Sequence, residues 1–351
     1  MLADIIPEAF FHDIGAEAWL WLLAVGAIVL MVVGADRAVS GAARLATALG
    51  MSTVLIGATV VSLGTTSPEA AVSVSAALRG DAGLALGNGV GSIICDTALV
   101  FGLGCLLVRL PLDRFVLRRH GVLYLAVGTM LTAVVIGQAL VKTDATAARI
   151  PQWIGFVFVA LLAIYMYLSV RWARQHPSMI PDEAKVAVSR RHTVRVALVS
   201  FAFVVVGLGL VVFGADVLIG SVKELATRYE VPQDVLAVTM VALGTSLPEL
   251  ATAIAAIVKG HPELLIGNVI GADILNVLFV IGVSAAATPA GLDVPETFVH
   301  LHVPVMMGAL VLMGAYIFTG GRRFHRWQGV PLLCLYGGYY VALVLLFGVR
   351  H

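Results

Sequence analysis

The hexapeptide GTTSPE at residues 64–69 places a proline, a carboxylate and several hydroxyl groups in the middle of a long apolar stretch. A near copy, GTSLPE, occupies residues 244–249 in an equally apolar setting. Proline has no N–H and crowds the carbonyl four residues earlier, which belongs to a glycine in both copies. We therefore expect each hexapeptide to break an apolar helix and to leave carbonyl groups that must face protein, water or a ligand.

The sequence around the two hexapeptides is duplicated as well. Shifting the chain by 180 residues aligns it with itself without a gap, and 17 of the 45 positions from Thr59 to Leu103 are identical. The identical positions include the dipeptide GN at 87–88 and 267–268. The chain is therefore predicted to consist of two homologous halves.

The composition indicates a membrane protein. Of the 351 residues, 60% are hydrophobic and 12% are charged, and the mean hydropathy is +0.99; soluble domains are about 45–50% apolar and about 25% charged. This excludes a soluble enzyme and a disordered chain, and the net charge of +1 provides no basic surface for nucleic acid. Ten apolar stretches are long enough to cross a bilayer as helices. They are residues 17–47, 51–78, 84–108, 119–141, 151–173, 193–227, 231–258, 264–287, 299–319 and 327–348.

The distribution of basic residues predicts the orientation of these spans. Of the 22 Lys and Arg residues, 16 lie at the loops that follow odd-numbered spans, and 6 lie at the other loops and the termini. Basic loops stay in the cytoplasm, so both termini of this multi-pass chain are predicted to lie outside the cell (inner or plasma) membrane. Equivalent points of the two halves are five spans apart, so the second half must enter the bilayer from the opposite face.

The predicted fold is an all-α integral membrane protein with ten transmembrane helices arranged as two inverted five-helix repeats. In transporters of this architecture the substrate site lies near the bilayer midplane, between the repeats. The predicted segments are an external tail (1–16), a first repeat (17–173, motif 57–104), a cytoplasmic linker (174–192) and a second repeat (193–351, motif 237–284).

Oxygen-bearing side chains gather on one face of the helices that carry the hexapeptides. Thr65 and Thr66 precede Glu69 by four and three residues, a spacing that puts all three on one helix face. The equivalents of these residues in the second half are Thr245, Ser246 and Glu249. The following spans contribute Ser92 and Asp96 in the first half and the equivalents Ala272 and Asn276 in the second.

The carboxylates of Glu69, Asp96 and Glu249 need compensating charge. A carboxylate at the bilayer centre costs at least about 2.5–3.5 kcal/mol, and three close together also repel one another. The central parts of the spans that carry them contain no Lys or Arg, so bound cations or protons must neutralise them. Ca²⁺ and Na⁺ are held by carboxylate, carbonyl and hydroxyl oxygens, which are the groups present here.

Three further acids are less easily assigned. Asp36 and Asp216, which are equivalent in the two halves, lie beyond the centres of long spans and are interpreted as interfacial or end-of-span acids. Asp273 is compatible with an entrance acid, an outer ligand or a solvated group.

These motifs resemble those of the sodium/calcium exchanger family of the cation/calcium exchanger superfamily, whose two repeats read GTSLPE followed by GNxxGSN. The resemblance covers nearly the whole chain. It implies exchange of Ca²⁺ against Na⁺ by alternating access, with a cluster of ion sites between spans 2, 3, 7 and 8. It also implies that the chain is a transporter and not an enzyme, with no resident cofactor.

Residue by residue, the resemblance makes Glu69 and Glu249 the central Ca²⁺ ligands, together with the carbonyls of Thr65 and Thr245. The remaining ligands implied for the ion sites are the carbonyls of Ser62 and Ala242, the hydroxyls of Thr66, Ser246 and Ser92, and the side chains of Asp96 and Asn276.

The chain departs from the family pattern at two positions. A common prokaryotic pattern has Asn in the first repeat and Asp in the second, whereas this chain has Asp96 and Asn276, which keeps the number of central acids unchanged. The serine expected in the second repeat is Ala272, so one Na⁺ site lacks a hydroxyl ligand.

Two alternatives to Ca²⁺/Na⁺ exchange stay open from the sequence. The same fold could couple Ca²⁺ to H⁺, which the missing hydroxyl at Ala272 favours. A non-transporting membrane receptor or scaffold would leave the repeat without an ion-binding role. A requirement for K⁺ and the oligomeric state are not determined by the sequence. The expected partners are Ca²⁺, Na⁺ and the lipid bilayer.

Overall fold

The computed structural model of the chain describes residues 6–49, 51, 53–111, 114–141, 148–175, 190–229, 244, 246–319 and 323–347, and this part is nearly all helical. The α-helices are α1 (Glu8–His12), α2 (Glu17–Leu49), α3 (Thr53–Ile56), α4 (Ser62–Leu78), α5 (Ala82–Ile94), α6 (Gly102–Leu107), α7 (Arg114–Val141), α8 (Gln152–Gln175), α9 (Arg190–Arg228), α10 (Leu247–Val258), α11 (Pro262–Leu275), α12 (Gly282–Ala287), α13 (Val303–Thr319) and α14 (Gly329–Phe347). Four π-helical segments continue these helices: Gly57–Val61, Cys95–Phe101, Asn276–Ile281 and Phe298–His302. A 3₁₀ turn, Arg326–Gln328, precedes α14, and two short strands, β1 (Arg149–Ile150) and β2 (Leu292–Asp293), pair antiparallel.

Among the described residues, seven helical stretches are long and apolar enough to cross a membrane. They are Glu17–Leu49, Ala82–Leu107, Leu117–Leu140, Gln152–Trp172, Val194–Leu225, Pro262–Ala287 and Phe298–Thr319. The other three predicted spans coincide with the helical run from Thr53 to Leu78, with α10 and with α14. Residues 230–243, the start of the predicted seventh span, lie outside the described residues. The prediction of an all-helical membrane protein is confirmed, while ten spans in two inverted repeats stay a prediction.

The two longest helices, α2 and α9, pack against each other through glycines. A Cβ added to Gly34 would lie 2.7 Å from the carbonyl oxygen of Gly207, and one added to Gly41 would lie 2.7 Å from the carbonyl oxygen of Ser200. Small residues let two helix backbones approach this closely, which is typical of helix pairs in membranes. Only about a third of an apolar 18-residue stretch of α2 is buried, and the buried share of the corresponding stretch of α9 is 28%. The two helices therefore form a close pair on the outside of the molecule.

The segment Pro262–Ala287 is far more buried than the outer helices, with 94% of an apolar 18-residue stretch inside the molecule. It packs on the run from α3 through the π-helical segment Gly57–Val61, again through glycines. A Cβ added to Gly267 would overlap the carbonyl oxygen of Val54, and one added to Gly271 would lie 2.6 Å from the Cα of Ala58. This contact joins the second half to the first half at the centre of the molecule.

The predicted helix break at residues 64–69 is wrong for the first half. Helix α4 runs through Pro68 without interruption. The hydroxyl of Ser67 donates a hydrogen bond to the carbonyl of Leu63 at 2.5 Å, and Gly64 has no Cβ to crowd the proline ring. The helical geometry changes one turn earlier, at the π-helical segment Gly57–Val61.

The second copy of the hexapeptide behaves differently. Here Ser246 is the N-cap of α10 and Pro248 lies in the first turn of the helix, a position where proline leaves no hydrogen bond unmade. The same six-residue pattern therefore continues a helix in one half and lies at the start of a described helix in the other.

Candidate cation-binding site

The predicted ligands that the structure describes are all buried at the centre of the molecule. Nine side chains have an exposed fraction of 1% or less: Ser62, Thr65, Thr66, Glu69, Ser92, Asp96, Ser246, Glu249 and Asn276. The other two predicted ligands, Ala242 and Thr245, lie outside the described residues. The nine side chains come from α4, α5 and α10 and from the π-helical segments at 95–101 and 276–281.

Glu69 lies between groups from both halves. Its Oε1 accepts a hydrogen bond from the hydroxyl of Ser246 at 3.4 Å. The side chains of Ser92 and Asn276 lie beside its carboxylate, and the carboxylate of Glu249 is close enough to repel it. The pairing of first-half and second-half residues expected for a site between the repeats is therefore present in the structure.

Asp96 and Glu249 belong to the same cluster. Asp96 is within electrostatic range of both glutamates, and Ser246 lies beside it. The hydroxyl of Thr65 lies beside the carboxylate of Glu249. Three acids thus share one buried region, and the ion pairs that the described residues form do not involve any of them.

Many oxygens of this cluster have no hydrogen-bond partner among the described residues. They are the hydroxyl of Thr66, Oε2 of Glu69, both carboxylate oxygens of Asp96, both of Glu249, and the side-chain oxygen of Asn276. Buried polar atoms in folded proteins are almost always paired, and a buried carboxylate without a partner is strongly unfavourable. A bound cation would satisfy all of these atoms at once.

The ligand set that the cluster offers is mixed. In the described part of the chain, no three His, Cys, Asp or Glu side chains converge in the arrangement of a single metal site. A cation in this region would therefore combine carboxylates with hydroxyl, amide and carbonyl oxygens. Ca²⁺ accepts six to eight such oxygens in flexible geometry, so the residues present fit it as a substrate.

Ser62 and Thr65 are held at the contact between the halves. The hydroxyl of Thr65 donates to the carbonyl of Ser62 at 3.2 Å and also lies 3.5 Å from Oδ1 of Asn268. The close approach of Gly271 brings the second half against Ser62, because a Cβ at Gly271 would lie 2.6 Å from the hydroxyl oxygen of Ser62. These contacts fix the helix turn that precedes Glu69.

Two asparagines that the sequence did not assign to the site support its glutamates. Nδ2 of Asn88 donates to the backbone carbonyl of Glu69 at 3.1 Å and to the hydroxyl of Ser73 at 2.9 Å. In the second half Asn268 donates to Thr252, whose hydroxyl donates to the carbonyl of Glu249 at 3.0 Å. The repetition of GN in both halves was the available signal, but it does not distinguish a ligand from a residue that positions a ligand.

The structure also narrows the interpretation of Asp273. Its side chain is 2% exposed, which excludes a solvated group. Oδ2 accepts a hydrogen bond from the hydroxyl of Thr97 at 2.5 Å, and that hydroxyl lies 2.9 Å from the hydroxyl of Tyr124. Asp273 is within electrostatic range of Glu69, Asp96 and Glu249. The cluster therefore contains four carboxylates and not three.

Asp96 and Asn276 lie at the starts of two equivalent π-helical segments, Cys95–Phe101 and Asn276–Ile281. Single π-helical turns within α-helices occur frequently at functional sites. The sequence carries no signal for this geometry, because π-helical turns have no composition of their own.

Asp36, by contrast, lies away from the cluster. Its side chain is 52% exposed and pairs with Nζ of Lys259 at 2.7 Å. Asp216 accepts a hydrogen bond from the backbone N–H of Ile6 at 2.9 Å. Both acids lie inside their helices, but each has a partner just beyond the end of another helix, which agrees with their interpretation as interfacial acids.

Comparison with known proteins gives consistent matches over most of the chain. The family model described as sodium/calcium exchanger protein matches residues 19–171 and 199–345. The chain is 31% identical over 331 residues to the inner membrane protein YrbG of Escherichia coli, covering 93% of this chain and 96% of that protein. It is 26% identical over 338 residues to the sodium/calcium exchanger MaX1 of Methanosarcina acetivorans, covering 90% and 96%. The fold is similar to the solved structure of the sodium/calcium exchanger from Methanococcus jannaschii, with a TM-score of 0.74, 26% identity, and 92% and 98% of the two chains covered.

Proposed function

Because this chain belongs to the sodium/calcium exchanger family, we propose that it is a secondary active antiporter that exchanges Ca²⁺ for Na⁺ across the membrane. The observation that carries the proposal is the group of buried oxygens without partners, contributed by both halves of the chain. Such a group has no structural benefit of its own and is suited to hold dehydrated cations.

In the proposed site, Glu69 and Glu249 bind Ca²⁺ from opposite halves, assisted by the carbonyls of Thr65 and Thr245. Na⁺ ions occupy flanking positions when Ca²⁺ is absent. The flanking ligands are the hydroxyls of Thr66, Ser246 and Ser92 and the carbonyls of Ser62 and Ala242, and Asp96 and Asn276 complete the centre. This assignment is supported by the contacts of Glu69 with Ser246, Ser92 and Asn276.

Coupling follows from the charge of the site. Either Ca²⁺ or several Na⁺ ions neutralise the same carboxylates, and an empty site with its charges uncompensated is too unfavourable to change its exposure from one side to the other. The conformational change would occur within ten helices arranged as two inverted repeats, with the pair α2 and α9 sliding over the remaining helices. The glycine contacts between α2 and α9 support their movement as one unit.

Coupling to H⁺ is the second candidate. Ala272 replaces a hydroxyl ligand of one Na⁺ position and is fully buried, so that position has fewer oxygens than its counterpart at Ser92. A receptor or scaffold without transport is the third candidate, and it predicts that neutral variants of the glutamates keep full function.

The test is uptake of ⁴⁵Ca into proteoliposomes that contain the purified full-length chain, with gradients of Na⁺, K⁺ and H⁺ imposed one at a time. Ca²⁺/Na⁺ exchange predicts uptake driven by an outward Na⁺ gradient and unaffected by a pH gradient alone. Uptake that follows the pH gradient and ignores Na⁺ would favour H⁺ coupling. The absence of Ca²⁺ flux under every gradient would reject the antiporter.

The proposed orientation, with both termini outside, can be tested separately. A thiol-reactive reagent that does not cross membranes should label a cysteine introduced near the C-terminus from outside the cell. Labelling only after the membrane is opened would reverse the proposed orientation.

A further inference from the structure

We propose that Asp273 is a further ligand of the site and that, together with Asp96, it binds a monovalent metal cation. The proposal rests on the proposed transport function. Asp273 was not among the ligands implied by the family motifs, and its equivalent in the first half is Ile93. The repeat therefore does not supply this carboxylate, which is particular to the second half.

The hydrogen bonds of Asp273 leave one oxygen free to bind a cation. Thr97 has one hydroxyl proton, which it donates to Oδ2 of Asp273. Tyr124 must then donate to the oxygen of Thr97, at 2.9 Å. Two hydroxyls in series therefore point toward this carboxylate. Oδ1 has no hydrogen-bond partner within the described part of the chain.

The described ionisable side chains around Asp273 are all acidic. The ionisable groups that face it are Glu69 on α4, Asp96 on the segment Cys95–Phe101, Tyr124 on α7 and Glu249 on α10. Among the described residues, neither Lys nor Arg pairs with any of these groups. One Ca²⁺ compensates two of the four carboxylates, so a further cation or protons must neutralise the other two.

Asp96 is the natural co-ligand of Asp273. Asp96 directly precedes Thr97, the residue that donates a hydrogen bond to Asp273. The side chain of Asp96 is fully buried, and neither of its carboxylate oxygens has a hydrogen-bond partner among the described residues. Together with the third oxygen at Oδ1 of Asp273, this region offers carboxylate ligands from both halves. Na⁺ and K⁺ both accept such oxygens, so the experiment must distinguish between them.

The decisive variant is Asp273→Asn, which removes the charge but keeps a carbonyl oxygen that can accept the Thr97 hydrogen bond. We expect the apparent affinity for the activating monovalent cation to fall by about tenfold, measured from initial rates of ⁴⁵Ca exchange at varied Na⁺ or K⁺ with choline as the replacement ion. A loss of Na⁺ dependence identifies Na⁺ as the ion, and a loss of K⁺ dependence identifies K⁺. Unchanged dependence on both ions would overturn the proposal, as would a change confined to the pH dependence.

The matched control is Thr97→Val, which removes the hydroxyl donor and keeps the carboxylate. It should change the affinity for the monovalent cation by less than Asp273→Asn does. An equal or larger effect would assign the role to the hydrogen-bond chain and not to the charge of Asp273.

A second readout separates this proposal from the proposed function. The purified protein in detergent should gain thermal stability from NaCl or KCl relative to choline chloride, because an ion that binds the folded state stabilises it. Asp273→Asn should lose that gain. If the wild type shows no Ca²⁺ flux but shows this difference, the antiporter fails and the ion site stands. If flux is present and the difference is absent, the ion site fails alone.

A different observation concerns one acidic residue on each outer helix. Asp36 on α2 pairs with Lys259, the residue that follows α10, at 2.7 Å. The 180-residue shift converts this pair into Asp216 on α9 and Arg79, the residue that follows α4. In this structure Asp216 instead accepts from the N–H of Ile6, and Arg79 donates to the hydroxyl of Ser75 at 2.9 Å.

We infer that the ion pairs Asp36–Lys259 and Asp216–Arg79 form alternately during the transport cycle, and we call each of these two ion pairs a latch. With inverted repeats, equivalent pairs lie at opposite membrane faces. Each latch would form when helices α2 and α9 slide toward the membrane face at which that latch lies. One latch is then formed in each state of the transporter. The structure then represents the state in which the latch Asp36–Lys259 is closed. This inference also rests on the proposed function.

The test compares two double-mutant cycles, Asp36→Asn with Lys259→Gln and Asp216→Asn with Arg79→Gln. Within each cycle the double variant should behave like either single variant, because each change breaks the same contact. The two cycles should shift the apparent Ca²⁺ affinity at a given membrane face in opposite directions, by about two- to fivefold. Additive effects within the second cycle, or shifts of the same sign in both cycles, would overturn the latch.

Discussion

The two halves of the chain carry the same motifs and use them differently. In the first half, Pro68 lies inside the continuous helix α4, whereas in the second half Pro248 lies in the first turn of α10. The first half supplies the hydroxyl of Ser92 and the carboxylate of Asp96. The second half has Ala272 and Asn276 at those positions and supplies Asp273 where the first half has Ile93.

The candidate site depends on the sum of the two halves and not on their symmetry. An acid lost at one position of the repeat is present at another, and the side chains meet in one buried cluster. A sequence repeat therefore predicts where polar groups converge more reliably than it predicts which half provides each group.

The largest effect is expected at Glu69 and Glu249. Among the four described carboxylates of the cluster, they are the two that occupy equivalent positions in the two halves. Glu69→Gln and Glu249→Gln should each lower Ca²⁺ exchange by about 100-fold, because each removes a central charge and leaves the other glutamate in place. ⁴⁵Ca flux in proteoliposomes measures both. If one variant keeps wild-type exchange, the halves do not contribute equally to the centre.

The next test concerns the packing of the outer helices. Gly207 is equivalent to Ala27 in the first half, but a Cβ at Gly207 would overlap the backbone N of Ala38. Gly207→Ala should therefore destabilise the protein by about 1–3 kcal/mol. Gly209→Ala is the matched control on the same helix, because no described atom lies within 4 Å of its Cβ position. Thermal unfolding in detergent separates the two, and equal melting temperatures would contradict the close packing.

A charge exchange between the halves should have an intermediate effect. Asp96→Asn should reduce the apparent Ca²⁺ affinity by about tenfold, because it removes one of the four carboxylates. Adding Asn276→Asp to that variant returns a carboxylate from the opposite half and should recover most of the affinity. A double variant as weak as Asp96→Asn would show that the position of the charge matters as well as the number.

The smallest effect is expected from restoring a hydroxyl to the second half. Ala272→Ser introduces the residue present at Ser92 in the first half, and it should raise the apparent Na⁺ affinity by about two- to threefold through one added ligand. Na⁺ dependence of ⁴⁵Ca exchange is the measurement, with Ala285→Ser as a control for a hydroxyl added to a buried helix position elsewhere. No change at Ala272→Ser would mean that this position is not a Na⁺ ligand.

Much of the fold was predictable because apolar length and glycine positions are local properties of the sequence. The predicted spans agree with the described helices to within a few residues at most ends, and the family was identified from the motifs. Where the predicted end lies on a described residue, the largest difference is at the start of α7, which begins at Arg114 and not at residue 119. Its first six residues include Arg114, Arg118 and Arg119, which a hydropathy criterion excludes.

The errors arose where tertiary contacts decide the local structure. Pro68 breaks no helix, because Ser67 and Gly64 accommodate it. The burial of Asp273 depends on Thr97 and Tyr124, which lie more than 140 residues away in sequence. Asn88 and Asn268 were visible in the repeat, but only the structure distinguishes hydrogen bonds to a glutamate backbone from ion ligation.

The length of the outer helices has a consequence for the surrounding lipid. Helices of 33 and 39 residues extend about 50 Å and about 58 Å at 1.5 Å per residue, whereas the hydrocarbon core of a bilayer is about 30 Å thick. Both helices must tilt or project beyond the core. Only 33% of an apolar 18-residue stretch of α2, and 28% of one of α9, is buried within the molecule, so the remainder is available to acyl chains. Membrane thickness should therefore set the tilt of this pair. If the pair slides during transport as proposed, reconstitution into lipids of increasing chain length should tune the exchange rate without any change in the protein.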